Sequence, residues 1–399
     1  MDWSRRRAGL HTEALGRGAR PAASSARRRG NGLTAPLLSR LVDRAVNRTA
    51  LPGRLSASSR ARTLVAGARP IDLLVGSALF RDSFLKGGRG HVDLPRARDV
   101  GYGVVGLTVA TTWPDVSGSL SRWHFRSLGM PPSVMGSRMA IANWLIDRIE
   151  RWCADSDDKL VIIRSVGDLD RCLAPAGSVG VLIGVQGAHV LDGNLANVER
   201  LSKRGVRMFA PAHVMDNDAV GSGTGRTAGG LSGFGRELIA EIEAQGVIVD
   251  LAHMSVSGVT QTLPLLTRSF VLSHAAIRED RARPARLRGY SQATRNVPPE
   301  IAREVGARGG LFGIVLATQL LGGSSLNSAA RMIRRLLELA GDDHVAIGSD
   351  MDGALKMLID CEGLPALADT MLAAGFSETS IVAILGGNAA RFLRSALPS

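Results

Sequence analysis

The stretch Val247-Ile-Val-Asp-Leu-Ala-His-Met-Ser255, followed by Val271-Leu-Ser-His-Ala275, decides the fold. Each is a short run of β-branched and aliphatic residues that leads into a histidine. Each follows a helix-like segment and a turn signal, Gln245-Gly246 in the first case and Thr267-Arg268-Ser269 in the second. Continuous apolarity that gives way to polarity is the pattern of a parallel strand buried on both faces. Two neighbouring strands of this kind deliver His253 and His274 to one face. In a (β/α)8 barrel the carboxyl-end face of the strands carries the chemistry. Taken singly, either histidine reads equally well as a hydrogen-bonded residue at a strand end; the pair on successive strands favours a site.

The same alternation extends outward. Strands are expected at Ile71–Val75, Val104–Val109, Leu160–Ile163, Val179–Val185, Val206–Ala212, Leu311–Leu316 and His344–Gly348. Helices are expected at Ser133–Ala154, Asn194–Lys203, Leu238–Ala244, Pro298–Ala307, Ala329–Ala340, Pro365–Ala374 and Glu378–Leu385. This order predicts an α/β protein, a parallel sheet with helical crossovers, and the strand number favours a closed (β/α)8 TIM barrel. No Gly-x-Gly-x-x-Gly follows the first strand and no P-loop occurs, which removes the nucleotide-binding folds. No apolar run has transmembrane length, so no membrane span is expected. The polar segment Arg278–Asn296 shows no element.

The net charge of +13 is unevenly placed. Residues 1–69 hold fifteen arginines and no lysine against Asp2, Glu13 and Asp43, which leaves residues 70–399 at +1. The body therefore has no nucleic-acid face. Residues 1–67 read as an Arg-rich, disordered leader with room for one amphipathic helix over Leu33–Ala50, and residues 68–399 as the barrel domain. The paired arginines are not an export signal, because no apolar region follows them. An organellar targeting peptide or an upstream start are the alternatives for the leader. Cys153, Cys172 and Cys361 are scattered and odd in number, which suits a reducing, cytoplasmic compartment.

Three further stretches carry candidate chemistry. Val345-Ala-Ile-Gly-Ser-Asp-Met-Asp-Gly353 ends a strand and presents Asp350 and Asp352, where a carboxylate can take a proton from an attacking water. Read alone, Asp-x-Asp-Gly is equally a loop turn. Leu182-Ile-Gly-Val-Gln-Gly-Ala-His189 puts Gln186 at a strand end and His189 beyond it, to polarise a carbonyl or to cap a helix. Arg295 lies in a polar loop on the side of His274, either solvated or placed to clamp a carboxylate.

Taken together, GVIVDLAHMS, VLSHAA, RNVPPE, VAIGSDMDG and ILGGNAARFL, with the upstream HVDLPRARDVGYGVVGLTV and GVQGAHVL, resemble the renal or membrane dipeptidase family of zinc metallopeptidases over roughly residues 70–395. The resemblance implies a TIM barrel with a two-zinc site that hydrolyses dipeptides. It makes His253 and His274 zinc ligands, Asp350 the carboxylate that handles the water proton, His189 the histidine on the substrate and its tetrahedral intermediate, and Arg295 the holder of the substrate carboxylate. Three positions depart from the pattern. Leu74 and Gly76 stand where the family has a metal-binding His and Asp, and Gln186 stands where it has the bridging Glu. His91 and Asp93 offer a compensating pair, although HVDLPRARDVG matches a family segment that is not a metal site. One weak zinc, or none, is therefore expected. The expected function is dipeptidase-like metallohydrolysis of a small dipeptide-like substrate. The alternative is a catalytically impaired barrel that binds a peptide-like or carboxylate ligand. A homodimer is compatible with either.

Overall fold

A computed structural model describes residues 34–51, 55–88, 90–114, 120–121, 124–279 and 290–399. Of the leader expected over residues 1–67, residues 1–33 lie outside the described residues. Nine strands make one parallel sheet: β1 (Ile71–Val75), β2 (Val104–Ala110), β3 (Leu160–Ile162), β4 (Val179–Gln186), β5 (Val206–Ala210), β6 (Ile248–Asp250), β7 (Phe270–Ala275), β8 (Leu311–Ile314) and β9 (Val345–Ile347). Eight of them close a ring. β9 pairs back to β1 through Asp72 and Ile347, and β2 pairs with β4 from Val104–Gly180 to Ala110–Gln186. β3 is appended to the first residues of β4. The molecule is a (β/α)8 TIM barrel, as the alternation predicts.

These segments are strands because their residues are mostly Val, Ile, Leu, Ala and Gly in runs too short and too β-branched for helices. Almost every one is buried on both faces, inside against the barrel interior and outside against the helices. The helix Leu326–Ala340 shows the complementary pattern. Ala329, Ala330, Met332, Ile333, Leu336 and Leu339 are buried at helical spacing, Ser325 caps its start, and Gly341, at φ +92°, ends it. Truncating Ile333 to Ala would cost about 2–5 kcal/mol.

One end of the barrel is shut. Ile71, Val104, Ile248 and Leu311 are the first residues of their strands, and they cluster with Ala389, Ala390, Phe392 and Leu393 of the C-terminal helix Asn388–Ala396. The barrel interior is therefore closed at the amino ends of these strands.

The structured body begins before residue 68. The helix Ser59–Ala68 buries Ala61 and Val65, and Ser58 at its start hydrogen-bonds Asp369. The helix Thr34–Val46 leads into a strap over the loop that follows β9. In that strap Ala50 N donates to the Met357 carbonyl (2.8 Å), Leu51 N to the Leu358 carbonyl (3.0 Å), and Met357 N to the Arg48 carbonyl (2.8 Å). Among the described residues no helix is long and apolar enough to cross a membrane.

Candidate active site

The carboxyl ends of the strands surround a cavity of about 350 Å³, at the lower end of the range for small-molecule sites. Leu79, Phe80, Val214, Met215 and Leu355 make its apolar wall, and Gln186, His213, His253, Tyr290, Asp350 and Asp352 converge on it. His253, Asp350 and Asp352 take left-handed backbone conformations, with φ of +65°, +64° and +58°. Non-glycine residues in this region are strained by about 1 kcal/mol or more, and such strain concentrates at functional sites.

His253 follows β6 and His274 lies within β7. Their Nε2 atoms approach to 3.0 Å. The tautomer of His274 follows from its neighbours. Asp250, buried in β6, accepts the backbone N–H groups of Ala252 and Ser273 on one oxygen and the Ser273 hydroxyl on the other (2.5 Å). With its proton committed there, Ser273 Oγ accepts from His274 Nδ1 at 2.7 Å. The lone pair of His274 is thus on Nε2, turned toward His253 and the Gln186 carboxamide, whose Nε2 is 3.4 Å away. Burial first, and the Arg295 guanidinium second, hold both imidazoles well below the usual histidine range, so both are neutral.

A second chain of contacts crosses the mouth. Tyr290 donates its hydroxyl to Asp350 Oδ2 (3.2 Å) and accepts from Arg295 Nε (3.2 Å), while Arg295 Nη2 donates to the His274 carbonyl (2.6 Å). Burial pushes the Asp350 carboxyl up to about 7, against the opposing pull of Arg295. A carboxyl with that value exchanges a proton near neutral pH.

The structure brings His253, His274, Gln186 and Asp350 together. Arg295 is nearly fully buried, but it meets the cavity through Tyr290 and does not line it. His189 is half-buried outside the cavity lining, with burial pushing it down to about 4. Besides His253, the cavity is lined by His213, edge-on to His253 with ring centres 4.8 Å apart and pushed by burial down to about 3. Its signal was present in the sequence: Val206–Ala210 is another apolar strand that runs into a histidine three residues past its end. Tyr290, in the polar loop, had no such signal.

The sequence profile of the membrane dipeptidases, peptidase family M19, matches residues 64–397. The chain belongs to that family. Dipeptidase verJ of Clonostachys rogersoniana is 28% identical over 258 residues, 63% of each chain. Mouse dipeptidase 3 is 26% identical over 62% of this chain and 50% of its own. The matched region thus spans between half and two thirds of these relatives. A metallo peptidase from Rhodobacter sphaeroides, solved with a phosphinate mimic of the dipeptide L-Ala-D-Ala, superposes with a TM-score of 0.68 at 22% identity, covering 82% of this chain and 99% of its own. Both of these curated relatives are named as dipeptidases.

The family implies a metal, and the residues present can be tested against it. Leu74 is buried and offers no donor. Gly76 has no space for a side chain. A Cβ there would collide with the Asp352 carbonyl oxygen and lie 2.8 Å from the carbonyl carbon. Gln186 is a neutral amide where two dications need a bridging anion. His91 and Asp93 are engaged elsewhere. His91 Nδ1 accepts from the Asp352 N–H (3.0 Å), and Asp93 caps the helix Leu94–Val100 and pairs with Arg96. Among the described residues no group of three or more His, Cys, Asp or Glu side chains is arranged to hold an ion. These residues do not fit a two-metal centre. What is left is a pair of imidazoles, one donor short of the three protein ligands usual for catalytic zinc.

Proposed function

We propose that this member of the dipeptidase family binds a small peptide-like ligand at the barrel mouth and has lost the two-metal hydrolysis that its family implies. One observation carries the reading: the Asp352 backbone occupies the space that a metal-binding side chain at position 76 would need. The rest of the cavity suits such a ligand. The apolar wall at Leu79, Phe80, Met215 and Leu355 takes a side chain. Neutral His213 and His253 exchange hydrogen bonds with an amide, and Asp350, with Tyr290 beside it, meets an amine.

The test is metal analysis of the purified chain, calorimetric titration with L-Ala-D-Ala and with dipeptides of larger apolar residues, and chromatography of the products with and without added zinc. We expect binding without zinc, less than one equivalent of bound metal, and intact dipeptide. Two tightly held zincs with turnover would overturn the reading. A second reading is favoured by the convergence of His253 and His274 to 3.0 Å: hydrolysis supported by one divalent cation on these two imidazoles. Cleavage that appears with one equivalent of zinc and vanishes in His253→Ala would establish it in place of the first.

A further inference from the structure

We propose that Arg81 is the built-in cation of this site: its guanidinium balances Asp352 and, through it, holds the Asp350–Leu355 wall of the cavity where the family would place a metal. Arg81 is then a positioning residue.

Its side chain is fully buried, an environment arginine enters only with a partner. Nη2 lies 2.5 Å from Asp352 Oδ1, and Nη1 donates to the Val92 carbonyl at 2.6 Å. Asp352, also fully buried, accepts in addition from the Ser77 hydroxyl (2.5 Å) and the His91 N–H (2.7 Å). The neighbouring histidine is not the counter-charge. Its Nδ1 accepts from the Asp352 N–H, so its proton sits on Nε2, which donates to the Arg48 carbonyl (3.0 Å). Arg81 is thus the guanidinium in direct contact with this carboxylate. Burial acts to raise Asp352, but the Arg81 guanidinium outweighs it and, with the His91 N–H, holds the carboxyl well below the usual carboxylate range.

The local backbone is arranged around the pair. A Cβ at Gly90, which has φ +55°, would run into Arg81 Nη2 and Asp352 Oδ1. Gly76 and Ser77, at the end of β1, both abut Asp352. The end of β1 is where the resemblance puts the first metal ligands. There a fixed guanidinium–carboxylate pair takes the place of an ion, and Asp352 itself faces the cavity.

The inference rests on the proposed loss of the two-metal centre, and its experiment fails separately from that reading. Thermal unfolding is compared for wild type, Arg81→Met, Asp352→Asn and the double variant. Arg81→Met strands a buried carboxylate and should lower Tm by on the order of 10 °C. The double variant removes one buried charge of each sign and leaves the buried Asp43, 3.9 Å from Arg81 Nε, held by Asn47, so it should recover part of that loss. A double variant that falls by the sum of the single losses would overturn the proposal. In a second arm Arg81→Ala should bind L-Ala-D-Ala at least tenfold more weakly than wild type, and 20 mM guanidinium chloride, but not 20 mM sodium chloride, should restore binding. Failure of guanidinium to restore a loss that wild type does not share would also overturn it. Wild type that binds no dipeptide while the cycle is non-additive would overturn the proposed function and leave the Arg81 pairing standing.

Discussion

Replacing Gly76 with alanine isolates the steric claim on which the reading of the metal site depends. Gly76 has φ −85° and ψ 5°, a conformation that alanine adopts freely. By backbone entropy alone the substitution should stabilise the fold by about 0.4–1 kcal/mol. The structure reverses the sign. The new methyl would strike the Asp352 carbonyl oxygen and approach its carbon to 2.8 Å and Gly353 Cα to 3.1 Å. All three are backbone atoms that cannot rotate away. Gly76 N also donates to the Met351 carbonyl at 2.7 Å, and Asp352 is pinned by Ser77, His91 and Arg81. Relief requires the loop to move and at least one of these bonds to lengthen. Overpacking of this kind costs about 1–3 kcal/mol and a weakened buried hydrogen bond about 1 kcal/mol more, so after the entropic gain a net loss of about 2 kcal/mol is expected. Gly67→Ala is the control. It lies in the helix Ser59–Ala68 with nothing within 4 Å of its would-be Cβ, and it should gain about 0.5–1 kcal/mol. Urea unfolding of the three proteins, followed by tryptophan fluorescence and circular dichroism, gives both numbers. Gly76→Ala with wild-type stability would refute the reasoning, and Gly76→Asp with newly acquired stoichiometric zinc would refute it more directly.

Gln186→Glu places an anion beside His274 and should raise zinc affinity at least tenfold in calorimetry; unchanged affinity would mean the two imidazoles do not face a common point. Burial lifts Asp350 to about 7 and Asp72 to about 6, above the roughly 3.9 of an unfolded aspartate. Each therefore contributes stability that is complete below about pH 4 and lost as pH rises through its folded value. The neutral His189 and His213, pushed down to about 4 and about 3, act in the opposite sense, contributing above about pH 6.5 and losing that contribution as pH falls. The informative quantity is the wild-type unfolding free energy minus that of Asp350→Asn, which should decline by on the order of 3 kcal/mol between pH 4 and pH 7; a flat difference would refute the raised carboxyl. His213→Asn should weaken dipeptide binding by tenfold or more while His189→Asn leaves it within about twofold, since a lost hydrogen bond in a buried site is worth about 1–3 kcal/mol; the reverse order would reinstate His189 in the cavity.

The barrel was legible because its evidence is local. Val247–Val249 and Val271–Leu272 are apolar without interruption, the composition of a strand covered on both faces. His253, His274, Gln186 and Asp350 were legible as strand-end polar groups for the same reason. His213 carries the same signal, since it directly follows the expected strand Val206–Ala212. Arg81, Tyr290 and the inward face of Arg295 were not legible. A charged or phenolic side chain in a polar stretch reads as solvated, and its burial is decided by a partner far along the chain: Asp352 for Arg81, Asp350 for Tyr290. The closure of position 76 was half legible. The absent ligand could be read, but the Asp352 backbone that fills its place could not.

The strap over residues 47–51 has a consequence for how the cavity communicates with the outside. Its partners, Ala354, Met357 and Leu358, continue the segment that supplies Asp350, Asp352 and Leu355 to the cavity. Occupancy that steadies this segment must also tighten its grip on Ala50 and Leu51, and by thermodynamic reciprocity anything that peels the strap away must loosen the hold on the occupant. The amides of Ala50 and Leu51 are thus a remote gauge of the cavity, readable by their exchange with deuterated solvent.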